Sequence, residues 1–149
     1  LDLNLDNVGF LDGNAADPDA ESARYAADIA SKGGIDIQLL GIGRNGHIAF
    51  NEPADEFTGE SHKIKLTDST IEANSIYFDD IPMPRYAMTM GIGSIMKAKK
   101  IVLIATGASK AEAVKAMIKG PVTPHCPASI LQQHEDAVIF LDEAAAALL

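Results

Sequence analysis

Tryptophan is absent, aromatic residues make up only 5% of the chain, and there is a single cysteine, Cys126. One thiol cannot close an internal disulfide, so the fold must be held by its core, and a reducing cytoplasm is the expected home. Positive charge is scarce as well: 12 Lys+Arg stand against 21 Asp+Glu, a formal net charge of −9, with no basic cluster. Such a surface cannot neutralise a phosphate backbone, which excludes nucleic acid as the main partner. No apolar run approaches the roughly 18 residues of a bilayer span, and no basic stretch followed by an apolar one opens the chain, so no membrane partner is expected. What is present is apolar material for one core, 47% of 149 residues.

Apolar runs of strand length alternate with stretches of helical period, the pattern of a mostly parallel, Rossmann-like sheet flanked by helices, so the expected class is α/β. Asp17 is a good N-cap and Pro18 suits the first helical position, which places a helix over about 18–32, stopped by Gly33-Gly34. Strands are expected at Ile35–Leu40, Lys63–Leu66, Ala87–Met90, Ile101–Ala105 and Ala137–Leu141. Asp68 is read as the cap of a helix reaching about Tyr77. A further helix follows Lys110, with Ala111, Val114, Met117 and Ile118 on one face, and Gly120-Pro121 ends it. No repeat or Ser/Gly linker divides the chain, so residues 1–149 read as one α/β domain with a low-complexity tail at 143–149. The chain opens on Leu1 rather than Met and runs out through Ala144 to Leu149, and the expectation is the carboxyl-terminal part of a longer catalytic domain, incomplete at its amino end.

The chemistry concentrates in Gly41-Ile-Gly-Arg-Asn-Gly-His-Ile-Ala-Phe-Asn-Glu-Pro53, which follows a strand at the edge where open α/β sheets place ligands. Glycines at 41, 43 and 46 let the backbone approach a ligand or adopt positive φ. His47 has the ring whose ordinary pKa of about 6.5 suits proton transfer near neutrality, and Glu52, five positions on, could orient it or balance its charge. An Asn-Gly turn beside a surface histidine would look the same. The spacing does not match a zinc helix and Cys126 has no cysteine neighbour, so neither a metal nor a cofactor is expected. Thr106 to Lys110 reads as a strand-to-helix turn whose backbone N–H groups favour an anion before Lys110 adds charge; a solvated Lys110 beside a capping Ser109 is the alternative.

The glycine-rich string as a whole resembles the signature of the glucosamine-6-phosphate deaminase (isomerase) family. So do Leu11-Asp-Gly-Asn-Ala-Ala-Asp17 with Ala20-Glu21 and Tyr25, Gly91-Ile-Gly93, Gly107-Ala-Ser-Lys-Ala111, and Pro127-Ala-Ser-Ile-Leu131 with His134. The resemblance implies an enzyme that opens the pyranose ring of glucosamine 6-phosphate, isomerises the aldose and releases ammonia. It assigns ring opening to His47, its carboxylate partner to Glu52, and to Asn45 a place where many members carry Asp. Asn can accept a hydrogen bond from imidazole but holds no charge. It assigns sugar-phosphate contact to Lys110, with Ser109, Gly43 and Gly46 beside it.

Two departures stand out. Ile76 occupies the position where the family usually has an Arg that grips the phosphate, and the basic pair of an allosteric N-acetylglucosamine 6-phosphate site falls on His62 and Ile64, so that activation is not expected. Family members also have an amino-terminal half that supplies a phosphate loop and the Asp that moves a proton between C1 and C2, neither of which appears here; that half or self-association is the expected macromolecular partner. The runner-up is a 6-phosphogluconolactonase-like hydrolase, whose similar string continues differently after the His. A catalytically silent sugar-phosphate-binding module is the third reading.

Overall fold

The computed structural model describes residues 2–78 and 82–149. Helix α1 spans Pro18–Ser31, and Asp17 caps it by accepting from the N–H groups of Asp19 at 3.1 Å and Ala20 at 3.0 Å. Gly33 and Gly34, at φ of +88° and +90°, turn the chain out of the helix in a conformation that costs glycine little. Strand β1 then covers Ile37–Leu40, shorter than the apolar run that announced it, although Ile35 and Asp36 still accept from the N–H groups of Lys99 and Lys100.

The central sheet pairs β1 with β4 (Lys100–Ala105) and β4 with β5 (Ala137–Leu141), all parallel, in the order β1-β4-β5. Strands β2 (His62–Lys65) and β3 (Tyr86–Thr89) lie at the expected places but form a separate antiparallel ribbon. The helix expected to reach Tyr77 is α2, Asp68–Asn74, followed by a tighter turn over Ser75–Tyr77. Its cap is Thr67 rather than Asp68, since the Thr67 hydroxyl accepts from the N–H of Thr70 at 3.3 Å. A short helix α3, Ile92–Ile95, was not anticipated: four residues are too few to show a helical period.

One face of the sheet makes the core. Leu40, Ile101, Leu103 and Ala105 are buried against Ile92 and Ile95 of α3, Val114 and Met117 of α4 (Ala111–Lys119), and Ala128 and Leu131. On α4 the buried set is Ala111, Ala113, Val114 and Met117; Ile118, expected on that face, is 38% exposed because the apolar stripe runs on through Ala113. The carboxyl-terminal residues 143–148 form turns, and Ala145 is fully buried in the core with its N–H held by the Asp142 carboxylate at 2.7 Å.

The opposite face is left exposed among the described residues. Register and strand alternation put Ile37 and Leu39 of β1, Val102 and Ile104 of β4, and Val138 and Phe140 of β5 on one side. Ile37 and Leu39 are 65% and 64% exposed and Phe140 56%.

Polar groups stitch the β1–β2 connection to the core. Asn51, 2% exposed, donates through Nδ2 to the carbonyls of Ile48 (2.9 Å) and Met90 (2.8 Å) and accepts from Thr58 Oγ1 (2.6 Å). Asn51→Ala would leave these buried groups unpaired, at a cost of about 2–4 kcal/mol. Urea unfolding should show that loss as a lower midpoint at an unchanged slope.

Candidate active site

Strand β1 empties into the turn Gly41–Gly46, closed by hydrogen bonds from Gly43 N–H to the His47 carbonyl (2.9 Å) and from Gly46 N–H to the Gly43 carbonyl (3.0 Å). Gly43 is glycine for a steric reason: a Cβ there would lie 2.2 Å from Cε1 of the His47 ring. Gly46, at φ of +84°, is pressed against Cys126, where a Cβ would meet Sγ at 2.7 Å. Burial pushes the Cys126 thiol pKa up, which keeps that group protonated beside the turn.

Behind the turn, three side chains form a directed relay. Asn45 Nδ2 donates to Glu52 Oε2 at 2.6 Å, and His47 Nδ1 lies 2.8 Å from Asn45 Oδ1 and 3.4 Å from Glu52 Oε2. Glu52 is well shielded, its side chain 7% exposed. Burial by itself would raise its pKa, but hydrogen bonds from His47, Thr70 and Asn45 together outweigh that and hold it at about 2. The hydroxyls of Thr70 and Thr67 complete its shell, Thr67 at 3.1 Å. A carboxyl with a pKa below the ordinary value contributes stability that is fully present above about 4.5 and is lost as pH falls through about 2.

These bonds fix which nitrogen of His47 donates to the relay. An ionised carboxylate can only accept, so Asn45 must turn its NH2 toward Glu52 and its carbonyl toward the imidazole. That carbonyl also can only accept, so Nδ1 carries a hydrogen, and in the neutral form of the ring Nε2 is the acceptor. Among the described residues Nε2 has no partner, and His47 lines a cleft of about 900 Å³.

The same cleft is lined by Gly43, Asn45, Ser109 and Lys110, so most of the residues singled out from sequence meet around one space. Glu52 stands behind it, bonded to Asn45 and 3.4 Å from His47 Nδ1. Gly46 does not line it, because its φ and its contact with Cys126 turn it into the protein. Lys110 ends a tight turn over Ala108–Lys110 and donates to the Ile42 carbonyl at 2.7 Å. Burial, and then the charge of Arg44, lower its pKa. Ser109 makes no capping bond to α4; the turn is anchored instead by Asp142, whose carboxylate accepts from Gly107 N–H at 2.9 Å. Ile76 is 68% exposed and also lines the cleft, so the position where the resemblance expects an Arg does face this space.

A model of the family described as glucosamine-6-phosphate isomerases/6-phosphogluconolactonase matches residues 2–140. The chain belongs to this family. Within the isomerase/lactonase family it is similar to glucosamine-6-phosphate deaminases from Ligilactobacillus salivarius (56% identical, covering 92% of this chain and 58% of that protein) and Cellvibrio japonicus (54% identical, 100% and 57%). The solved structure of a monomeric glucosamine-6-phosphate deaminase superposes with a TM-score of 0.85 at 46% identity, covering 91% of this chain and 57% of that one. A 6-phosphogluconolactonase from Trypanosoma cruzi shares the fold, with a TM-score of 0.67 at 21% identity, covering 87% and 51%. The chain thus spans little more than half the length of these family members.

Several residues of the site were not singled out beforehand. Thr67 and Thr70, which steady Glu52, come from the start of α2, and the Thr-x-x-Thr spacing at a helix cap was the available signal. Ala49, at φ of +51°, lines the cleft in a backbone conformation that residues with a side chain seldom adopt. Arg44 lines it as well.

Proposed function

We propose that this chain carries the ring-opening and phosphate-binding part of a glucosamine-6-phosphate deaminase. The observation that carries the reading is the Glu52–Asn45–His47 relay opening into a cleft with Lys110. The deaminase relatives support it, at 54–56% identity.

In this reading His47 Nε2 takes the proton of the anomeric hydroxyl and delivers it to the ring oxygen as the C1–O5 bond breaks, leaving the open-chain aldehyde. Asn45 holds the ring in orientation. Glu52, close behind it and ionised, balances the imidazolium while the proton is carried, the charge that Asn45 cannot supply. Lys110 and Ser109, with Gly43 beside them, hold the sugar and its phosphate. Aldose-to-ketose isomerisation and hydrolysis of the resulting imine then give fructose 6-phosphate and ammonia, which makes the enzyme a hydrolase acting on a C–N bond, working without cofactor or metal in the cytoplasm. The relay leaves the proton transfer between C1 and C2 to a base outside it, and the exposed sheet face of Ile37, Leu39, Ile104 and Phe140 is the surface against which an amino-terminal half, or a second copy, would pack. At the N-acetylglucosamine 6-phosphate position, His62 turns Nδ1 to the Glu60 carbonyl at 3.0 Å, and no such activation is proposed.

Lys110→Ala in the natural full chain tests the reading. It should raise KM for glucosamine 6-phosphate about tenfold or more while leaving the poor rate on unphosphorylated glucosamine nearly as it was. Equal losses on both sugars would indicate a damaged fold in place of a lost phosphate contact.

A further inference from the structure

Two cations line the cleft, and among the described residues only one of them has a partner. Lys110 is held by the Ile42 carbonyl at 2.7 Å. Arg44, two residues beyond Ile42 in the same turn, is exposed, and among the described residues its guanidinium makes no hydrogen bond and no ion pair. Its backbone is nonetheless well fixed. Gly43 on one side bonds to His47, Gly46 closes the turn back to Gly43, and Asn45 on the other side is bound through its side chain to Glu52. Arg44 is therefore an anchored cation with idle donors. Its charge is also close enough to Lys110 to act on the ammonium. Bringing two like charges to one cleft is unfavourable unless an anion shares them. Glu72, the carboxylate lining the cleft, forms no ion pair with either.

We infer that Arg44 is the second cation for the substrate's phosphate, supplying the fork of donors that the apolar Ile76 cannot. The inference rests on the reading of the cleft as a sugar-phosphate site. A phosphate monoester presents several oxygens with nearly two negative charges, and a planar guanidinium can meet two of them at once where an ammonium is a point charge. Because Arg44 and His47 belong to the same short turn, the grip on the phosphate and the proton relay are tied together. That fixes the distance between the substrate's phosphate and its anomeric carbon, and an aldose lacking the phosphate would lose this positioning.

The test is calorimetric binding of glucosamine 6-phosphate and of glucosamine to the natural full chain, with ammonia release followed in parallel, for wild type, Arg44→Ala and Arg44→Lys. Arg44→Ala should weaken the phosphorylated sugar about tenfold or more and raise KM to match, with kcat changed far less. Arg44→Lys should fall between, because it restores the charge without the fork; it also decides the matter if Arg44→Ala folds poorly. Unchanged affinity in both variants would overturn the inference while leaving the deaminase reading intact. Arg44-dependent binding without any ammonia would do the reverse, and a wild type that binds no sugar phosphate would overturn both.

Discussion

Replacing His47 with alanine lowers turnover of glucosamine 6-phosphate by about 10²–10⁴-fold, the usual contribution of a positioned general acid/base. The size follows from the relay. Glu52, ionised down to about pH 2, dictates the orientation of Asn45, and Asn45 dictates which ring nitrogen of His47 is free. No other side chain lining the described cleft presents a ring nitrogen held in this way, so nothing nearby can substitute. The loss should appear in kcat with KM little altered, since the phosphate contacts are untouched. Stopped-flow measurement on the pure cyclic sugar locates the defect, because the small open-chain fraction present at equilibrium should still react.

Gly43→Ala should be almost as damaging, without removing any functional group. The added Cβ would lie 2.2 Å from Cε1, 2.3 Å from Nδ1 and 2.5 Å from Nε2 of His47, so the ring has to leave its position. Displacement of a catalytic group by about 1 Å can cost about 10²-fold in rate, and here the whole ring moves. Turnover should fall about hundredfold or more while the far-UV spectrum and melting behaviour stay near wild type, because the clash is with a side chain at the cleft and not with the core. Gly59→Ala, whose Cβ would meet nothing within 4 Å, is the matched control and should keep its activity.

The parts of the fold that could be read from sequence were those with a strong local cause. Asp17-Pro18 set the start of α1 and Gly33-Gly34 its end, and the continuous apolar run at Ile101–Ala105 is the middle strand of the sheet, paired with β1 on one side and β5 on the other. Pairing was less legible. Nothing local in His62–Lys65 or Tyr86–Thr89 says that these strands pair with each other apart from the main sheet, since register depends on contacts far away in the chain. The tail carried little signal for the opposite reason: alanines show little pattern, yet Ala145 is small enough to be buried in the core.

At the site, His47 and Glu52 stood out because an imidazole and a carboxylate follow a glycine turn at the end of a strand, and Lys110 because it closes a strand-to-helix turn, whereas Asn45 was picked out by the family resemblance. The roles of Thr67 and Thr70 were hidden because threonine at a helix start is accounted for by capping alone. Arg44 was hidden because a charged residue in a turn is normally solvated, and only the closeness of Lys110 and the exposed Ile76 give it another meaning.

The most direct test of the account is a coupled assay on the natural full chain in which ammonia and fructose 6-phosphate are measured from glucosamine 6-phosphate and, in parallel, acid release from 6-phosphogluconolactone. The account predicts equal amounts of ammonia and fructose 6-phosphate, both slowed together by about 10²–10⁴-fold in His47→Ala, with no lactone hydrolysis above the spontaneous rate. Lactone hydrolysis that depends on His47, with glucosamine 6-phosphate bound and returned unchanged, would contradict it.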